Sequence, residues 1–319
     1  MQCNYLEFRL SVLNTHGELL LVLVLTSLAL ILNIGYAHGD ISTGIQGVRL
    51  ESITSLPAPH SSTHIIIPFH PINSTSYSVA KSQSTTLQYA QKVVKPVLGP
   101  EPYISPRIVS VSPGGFDGID ASQSGGWTPP DVAMGAGPHH IVEMVNLAGQ
   151  VYNKDGTPST SLFSLSSFFG TGVDSLSDPR ILYDSQSGRW FASILDITSS
   201  GVKIAVSGTN DPTGSWTIYN VPFSPSGTCP DQPRIGVSND KFVVSANDFS
   251  NFCGVFGGTS SFIGADFFVF DKTELISGAV SLTKFQHFGP DLTKSAITPV
   301  QSLSSTNSEY MVSVDGALS

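Results

Sequence analysis

Two acid–arginine pairs carry the residue types in this chain most able to engage a charged or polar ligand: Asp178 with Arg180, and Asp231 with Arg234. Asp131 stands in a similar setting with no matching arginine. Carboxylates beside guanidinium groups can hold a cation, clamp a carboxylate ligand or support acid–base chemistry. The alternative role is structural, the acid capping a turn and the arginine bridging to a neighbouring repeat. Recurrence at each repeat favours the structural role, because active sites on repetitive scaffolds usually break the repeat. Asp184 and Asp248 are the other carboxylates placed to join such a group.

The elements that must position these residues are announced by a repeat. "DPRILYD…RWFAS" of residues 178–193 returns as "DQPRIGVSNDKFVVS" at 231–245. Weaker relatives flank it, "PPDVAMGAGPHHIVEMV" at 129–145 and "TPVQSLSSTNSEYMVS" at 298–313. The corresponding prolines, Pro130, Pro179, Pro233 and Pro299, are 49, 54 and 66 residues apart. Repeats of roughly 40–50 residues built from short strands are the mark of β-propeller blades. Val202, Ile204 and Val206 alternate with polar or small residues, as do Phe242, Val244 and Ala246, and Trp190, Ala192 and Ile194. Period-two alternation of this kind predicts half-buried strands. Asp155-Gly156, Ser187-Gly188, Pro212-Thr213-Gly214 and Asn239-Asp240 supply the residues that tight hairpins need.

The second blade therefore spans 179–184, 189–197, 202–208 and 216–221, and the third 233–238, 241–248, 265–271 and 281–288. In the first, 161–170 reads as a helical turn or a fourth strand. Residues 108–111 could pair across as a closing strand. The expected fold is all-β, a partial β-propeller of about three and a half four-stranded blades. Four to eight blades is the usual range, so the chain reads as an open ring. A longer gene product, a second copy or another chain would complete it.

Ahead of residues 106–319 lie a signal segment, 1–37, and a Ser/Thr/Pro-rich linker, 38–105. Leu19–Ala37 carries no charge and ends in Gly35-Tyr36-Ala37, a small-x-small pattern that predicts cleavage before His38. Left uncleaved, residues 19–37 are long enough to act as a signal anchor. Either way the remainder is exported, to a secreted or cell-surface location. Asn73 lies in the single glycosylation sequon, within the linker. His38, His60, His64 and His70 also fall there, without the companions that define a metal geometry.

The runs "GWTPPDVAMGAGPHHIVEMVN", "SLSSFFGTG…SDPRILYDSQSGRWFASILD", "AVSGTNDPTGSW", "CPDQPRIGVSNDKFVVSANDFS" and "SLSSTNSEYMVS" carry a further signal. Over approximately residues 127–313 the chain resembles a largely uncharacterised family of secreted bacterial and archaeal β-propeller-like proteins. The resemblance implies the fold and the exported location, and longer relatives with further blades; it brings no catalytic residues. "DSQSGRW" and "DPTGSW" are faintly similar to sialidase Asp-box turns, but the first has the wrong spacing and arginines are scarce. His139-His140 reads as hairpin filler, since adjacent strand residues point to opposite faces. No nucleophile elbow, zinc-protease helix, P-loop or dinucleotide fingerprint is present.

A charged fraction of 12% and a net charge of −9, with no basic cluster, argue against nucleic acid and leave membrane contact to the N-terminal segment. Two functions remain. One is a non-catalytic binding or scaffold module for an extracellular glycan or envelope protein, with Trp127, Trp216 and Tyr219 as stacking aromatics. The other is a polysaccharide hydrolase or lyase working over the propeller channel, which would need clustered carboxylates of raised pKa. No motif calls for a cofactor; the acid series could hold a structural cation such as calcium, though no motif supports one.

Cys3 lies in the leader, so the exported part keeps Cys229 and Cys253. They flank the hairpin turning at Asn239-Asp240, which sets residue 229 opposite about residue 250, within reach of the roughly 4.4–6.8 Å between Cα atoms that a disulfide requires. Export lets such a bond persist. Alkylation under non-reducing conditions should leave both thiols unmodified; two alkylated cysteines would refute the bond.

Overall fold

The computed structural model describes residues 44–59, 115–120, 122–124, 130–173, 175–223, 228–250 and 261–315. These form an all-β structure of antiparallel sheets, and no closed barrel or propeller is detected among them. The signal segment, most of the linker, residues 108–111, Asn73, Trp127 and Cys253 lie outside the described residues.

Sheet A is a meander of β2 (Ala133–Ala136), β3 (His140–Val145), β4 (Ala148–Asn153) and the two-residue β5 (Phe163–Ser164). Both alternatives for 161–170 are realised, because β5 runs directly into the helical turn α1 (Leu165–Phe168). Sheet B contains β6 (Leu176–Asp184), β7 (Arg189–Asp196), β8 (Gly201–Ser207) and β9 (Trp216–Val221), within a residue or three of expectation. Sheet C contains β10 (Thr228–Val237), β11 (Lys241–Ser250), β12 (Phe262–Asp271) and β14 (Phe285–Asp291). Sheet D is the pair β15 (Lys294–Pro299) and β16 (Met311–Asp315), beginning earlier than the expected start at Pro299.

Two departures from the expected layout share a cause. Part of the supposed linker is a strand, β1 (Ile45–Leu50), which pairs with β9 and extends sheet B. The expected strand 281–288 divides: β13 (Ser281–Leu282) leaves sheet C to pair with β1, and only Phe285 onward pairs with β12. The break falls where the Glu274 carboxylate, on the short helix α2 (Lys272–Ile276), accepts the Thr283 and Lys284 amides. Those amides are thereby withdrawn from any ladder.

Strands expected to be half-buried are buried on both faces. Trp190, Ala192 and Ile194 of β7 pack with Val142 and Met144 of sheet A. Phe191 joins Val202, Ile204 and Val206 against Phe242, Val244 and Ala246 of sheet C. Sheet B is therefore sandwiched, and the alternating sets read from the sequence each face one of its two neighbours. Phe191 and Phe242 stack across the second interface with ring centroids 5.1 Å apart.

Sheet D closes onto sheet C through backbone contact. Ser245 Oγ donates to Ile297 O at 2.5 Å, and Val237 N donates to Val300 O. A Cβ on Gly236 would lie 2.6 Å from both Pro299 Cβ and Val300 O, a distance real side chains do not tolerate. Gly236→Ala should therefore push the sheets apart and cost about 1–3 kcal/mol. Denaturant unfolding measures the loss, and hydrogen exchange should rise first in β15 and β16.

Candidate functional site

The first strands of sheets B, C and D share a local distortion. Each carries a bulge, between Ser177 and Arg180, Asp231 and Arg234, and Ser295 and Thr298. Each bulge holds a non-glycine residue at positive φ: Asp178 at 54°, Gln232 at 49° and Ala296 at 52°. Asp131, at 48°, occupies the matching place ahead of β2. Aspartate tolerates this region better than most side chains. Bulges bend a strand and re-aim the side chains beside it.

The recurrence read from the sequence is thus offset by one residue. Asp178 sits at the positive-φ position itself, whereas Asp231 precedes Gln232, which holds that position in sheet C. The two acids nevertheless converge. Burial raises Asp178 to about 6, with the neighbouring Asp131 charge adding to the rise and Arg180 and Arg234 opposing it. Burial raises Asp231 to about 7, helped by Asp178 and Asp131 and resisted by the Gln232 amide and Arg234. Burial and the Arg180 charge lower Arg234. Asp131, Asp178, Asp231, Arg180 and Arg234 therefore occupy one electrostatic neighbourhood, spanning three sheets.

Neither arginine forms an ion pair with these acids among the described residues. Arg180 Nη1 donates to Pro179 O, and Arg234 donates to Gln232 O and Gln232 Oε1. The guanidinium groups stiffen their own bulges, and the half-buried heads keep donor capacity. Asp231 Oδ1 is buried without a hydrogen bond.

Sequence reasoning missed the residues that organise this neighbourhood. Asn146 Nδ2 donates to Asp131 Oδ2 at 2.7 Å, while Asn146 Oδ1 accepts from Asp178 N at 3.0 Å, tying sheet A to sheet B. Asn247 Oδ1 accepts from Ala296 N at 2.8 Å, tying sheet C to sheet D in the same way. The signal was present, since "EMVN" and "VSAN" each carry an asparagine late in or just past the second strand of their repeats. A second acidic group was also missed. Asp266 is buried, lies 2.8 Å from His287 Nε2 and hydrogen-bonds with Asp248. Burial raises it in spite of both partners.

Other expected site residues lie elsewhere. Trp216 and Tyr219 are core residues, not exposed stacking platforms: the Trp216 indole donates to Pro212 O and the Tyr219 hydroxyl to Ala279 O. Burying these aromatic bodies between sheets outweighs exposure once each polar tip has an acceptor. Asp184 stands at the far end of β6 from Asp178, in the hairpin turn, where it accepts from Gln186 N and Ser187 Oγ. His139 is exposed in the β2–β3 turn and His140 opens β3. Cys229 is buried and disulfide-bonded, opposite Phe249; its expected partner, Cys253, is not described. Among the described residues, no group of three or more His, Cys, Asp or Glu side chains could hold a metal ion, and no helix is long and apolar enough to cross a membrane. A cleft of about 420 Å³ opens at the other end of β10, lined by Asp240, Lys241, Phe270 and Thr283, away from the acid–arginine group.

No family model, curated protein or solved structure matches the chain. Its class rests on architecture: an antiparallel all-β protein with a polar group at the bulged first strands.

The raised acids set a direction for stability against pH. Both carboxyls hold protons more tightly folded than unfolded, so their stabilising contribution is complete below about pH 4 and is lost as pH rises through 6 and 7. Asp231→Asn should recover roughly 2–4 kcal/mol at pH 8 and little at pH 4. Urea unfolding at the two pH values measures the difference.

Proposed function

We propose that the chain is an exported module of the propeller type, an open ring of about three and a half blades, which binds an extracellular glycan or envelope component through the acid–arginine group. One observation carries the assignment: Asp178, Arg180, Asp231 and Arg234, at the bulged first strands of sheets B and C, gather with Asp131, which precedes the first strand of sheet A. In a propeller the first strand of each blade lines the axial channel, so the group would face that channel. Kinship with the secreted propeller-like family named above is part of the same proposal, supported by the succession of antiparallel sheets in chain order.

A mixed set of acids and arginines suits a polyhydroxyl ligand better than a simple ion. A sugar hydroxyl donates to a carboxylate and accepts from a guanidinium at once, whereas either charge alone would be repelled by half the group. Association with a second copy or with further blades is supported by Tyr310, Val312 and Val314, all exposed on and beside the edge strand β16.

A polysaccharide hydrolase or lyase is the second function that an observation favours. Clustered carboxylates of raised pKa are what such catalysis needs, and Asp178 at about 6 and Asp231 at about 7 fit a general acid. The burial of Trp216 and Tyr219 also removes two of the three stacking aromatics expected of a pure glycan binder.

A glycan array run beside a hydrolase and lyase panel, on the secreted form and on Asp231→Asn, separates the two. Binding without turnover, weakened at least tenfold in the variant, is the expected result. Turnover that vanishes in the variant while binding persists would assign catalysis. Retention of neither activity by the native protein would refute a glycan site.

A further inference from the structure

We propose that the Lys272 side chain and the Asp184 side chain condense to an intramolecular amide, joining Lys272 Nζ to Asp184 Cγ and cross-linking sheet B to sheet C. The inference is independent of the acid–arginine group. It rests on a buried pair at the opposite, hairpin end of β6.

Lys272 Nζ lies 2.9 Å from Asp184 Oδ2, with side-chain exposures of 3% and 1%. Such deep burial of a lysine is rare, and ion pairs taken out of water keep a desolvation cost that their attraction does not always repay. The lysine opens α2, whose Asp271 cap accepts the Thr273 and Glu274 amides and holds the helix start in place. Its ammonium also donates to Ser238 O, so its direction of approach is fixed from two sides. The carboxylate is fixed as well: Ser187 Oγ donates to Oδ2 at 2.5 Å and Gln186 N donates to Oδ1 at 3.1 Å. Pre-positioning of nucleophile and carboxyl in one geometry replaces a bimolecular encounter by an effectively unimolecular one.

A third carboxyl completes the set. Both oxygens of Glu309 are buried and make no hydrogen bond of ordinary geometry, while the Ser238 hydroxyl and the Val300 amide favour its charged form. Glu309 therefore borders the same residue, Ser238, whose carbonyl holds the lysine. The charges of Lys241 and Lys272 act on it, and Asp240 lies against Lys241. Burial raises Glu309 to about 7, so it can take up and return a proton near neutrality.

The step balances without an oxidant or a co-reactant. Lys272 loses a proton to Glu309, and the freed nitrogen lone pair attacks Asp184 Cγ, forming the C–N bond. A carboxyl C–O bond breaks, and the departing oxygen leaves as water with protons from the nitrogen and from Glu309, which regains its starting state. Ammonium plus carboxylate become amide plus water. The product suits the pocket: the amide N–H can keep Ser238 O, and the amide carbonyl can keep Ser187 Oγ and Gln186 N as donors. Two buried charges disappear, and the shorter hydrogen bonds of the pair retain partners, while the longer one from Ser187 N is given up with the departing oxygen.

Proteolysis of the full-length protein followed by mass spectrometry tests the bond directly. A branched peptide containing both Asp184 and Lys272, lighter by one water than the two linear peptides together, is expected. Near-complete recovery of linear peptides with unmodified Asp184 and Lys272 would overturn the proposal. Lys272→Arg should yield only linear peptides. Glu309→Gln should do the same or slow the appearance of the branched peptide at least tenfold, with an unchanged circular dichroism spectrum. Normal cross-linking in Glu309→Gln would remove Glu309 from the proton transfer.

Discussion

Sheet B is buried on both faces, and the rest of the molecule is arranged around that constraint. A sheet whose β7 strand reads Trp190, Phe191, Ala192, Ser193, Ile194 without an exposed side must have a sheet on either hand. Sheets A and C fill those places, and each brings its own apolar set to a separate core. Low charge follows from the same arrangement, because a sheet covered on both faces has little surface on which to carry Lys and Glu. Its outer edge would have remained open. β1 and β13 cover it, and with it the row of unpaired backbone groups that edges expose.

Stacked, twisted sheets leave their first strands to solve a different problem, that of meeting neighbours edge-on as well as face-on. The bulges at Asp178, Gln232 and Ala296 bend each first strand and free one amide, which an asparagine of the preceding sheet accepts at two of the interfaces. The acids are carried inward as a consequence of this backbone geometry. Burial then decides their chemistry. In water the arginines would dominate, but at these depths desolvation outweighs them, and both Asp178 and Asp231 rise instead of falling. The same backbone device thus serves packing and places polar side chains where a ligand could use them.

The hairpin ends of the sheets follow another logic. Asp184 was legible as a turn residue, because "DSQSG" offers its side chain two backbone amides in the turn. Nothing in that motif points to Lys272, which lies 88 residues away. Asp266 and His287 are hidden in the same way, in strands whose aromatic spacing speaks only of burial.

Much of the fold was determined by the sequence alone, because its signals are local. Alternation along β7, β8 and β11 and the turn dipeptides between them place strands to within a few residues, and repeated prolines divide them into sheets. The acids and arginines at the start of each repeat were legible for the same reason. What alternation could not reveal is that both of its phases are buried, since it records neighbours along the chain and not across a sheet. Only the tertiary structure decided that Ile45–Leu50 joins sheet B, that Ser281–Leu282 desert sheet C for it, and that Trp216 and Tyr219 turn inward. It also decided which acids share a field. Edge pairing and mutual desolvation act between residues distant in sequence, and their energies exist only once the sheets have met.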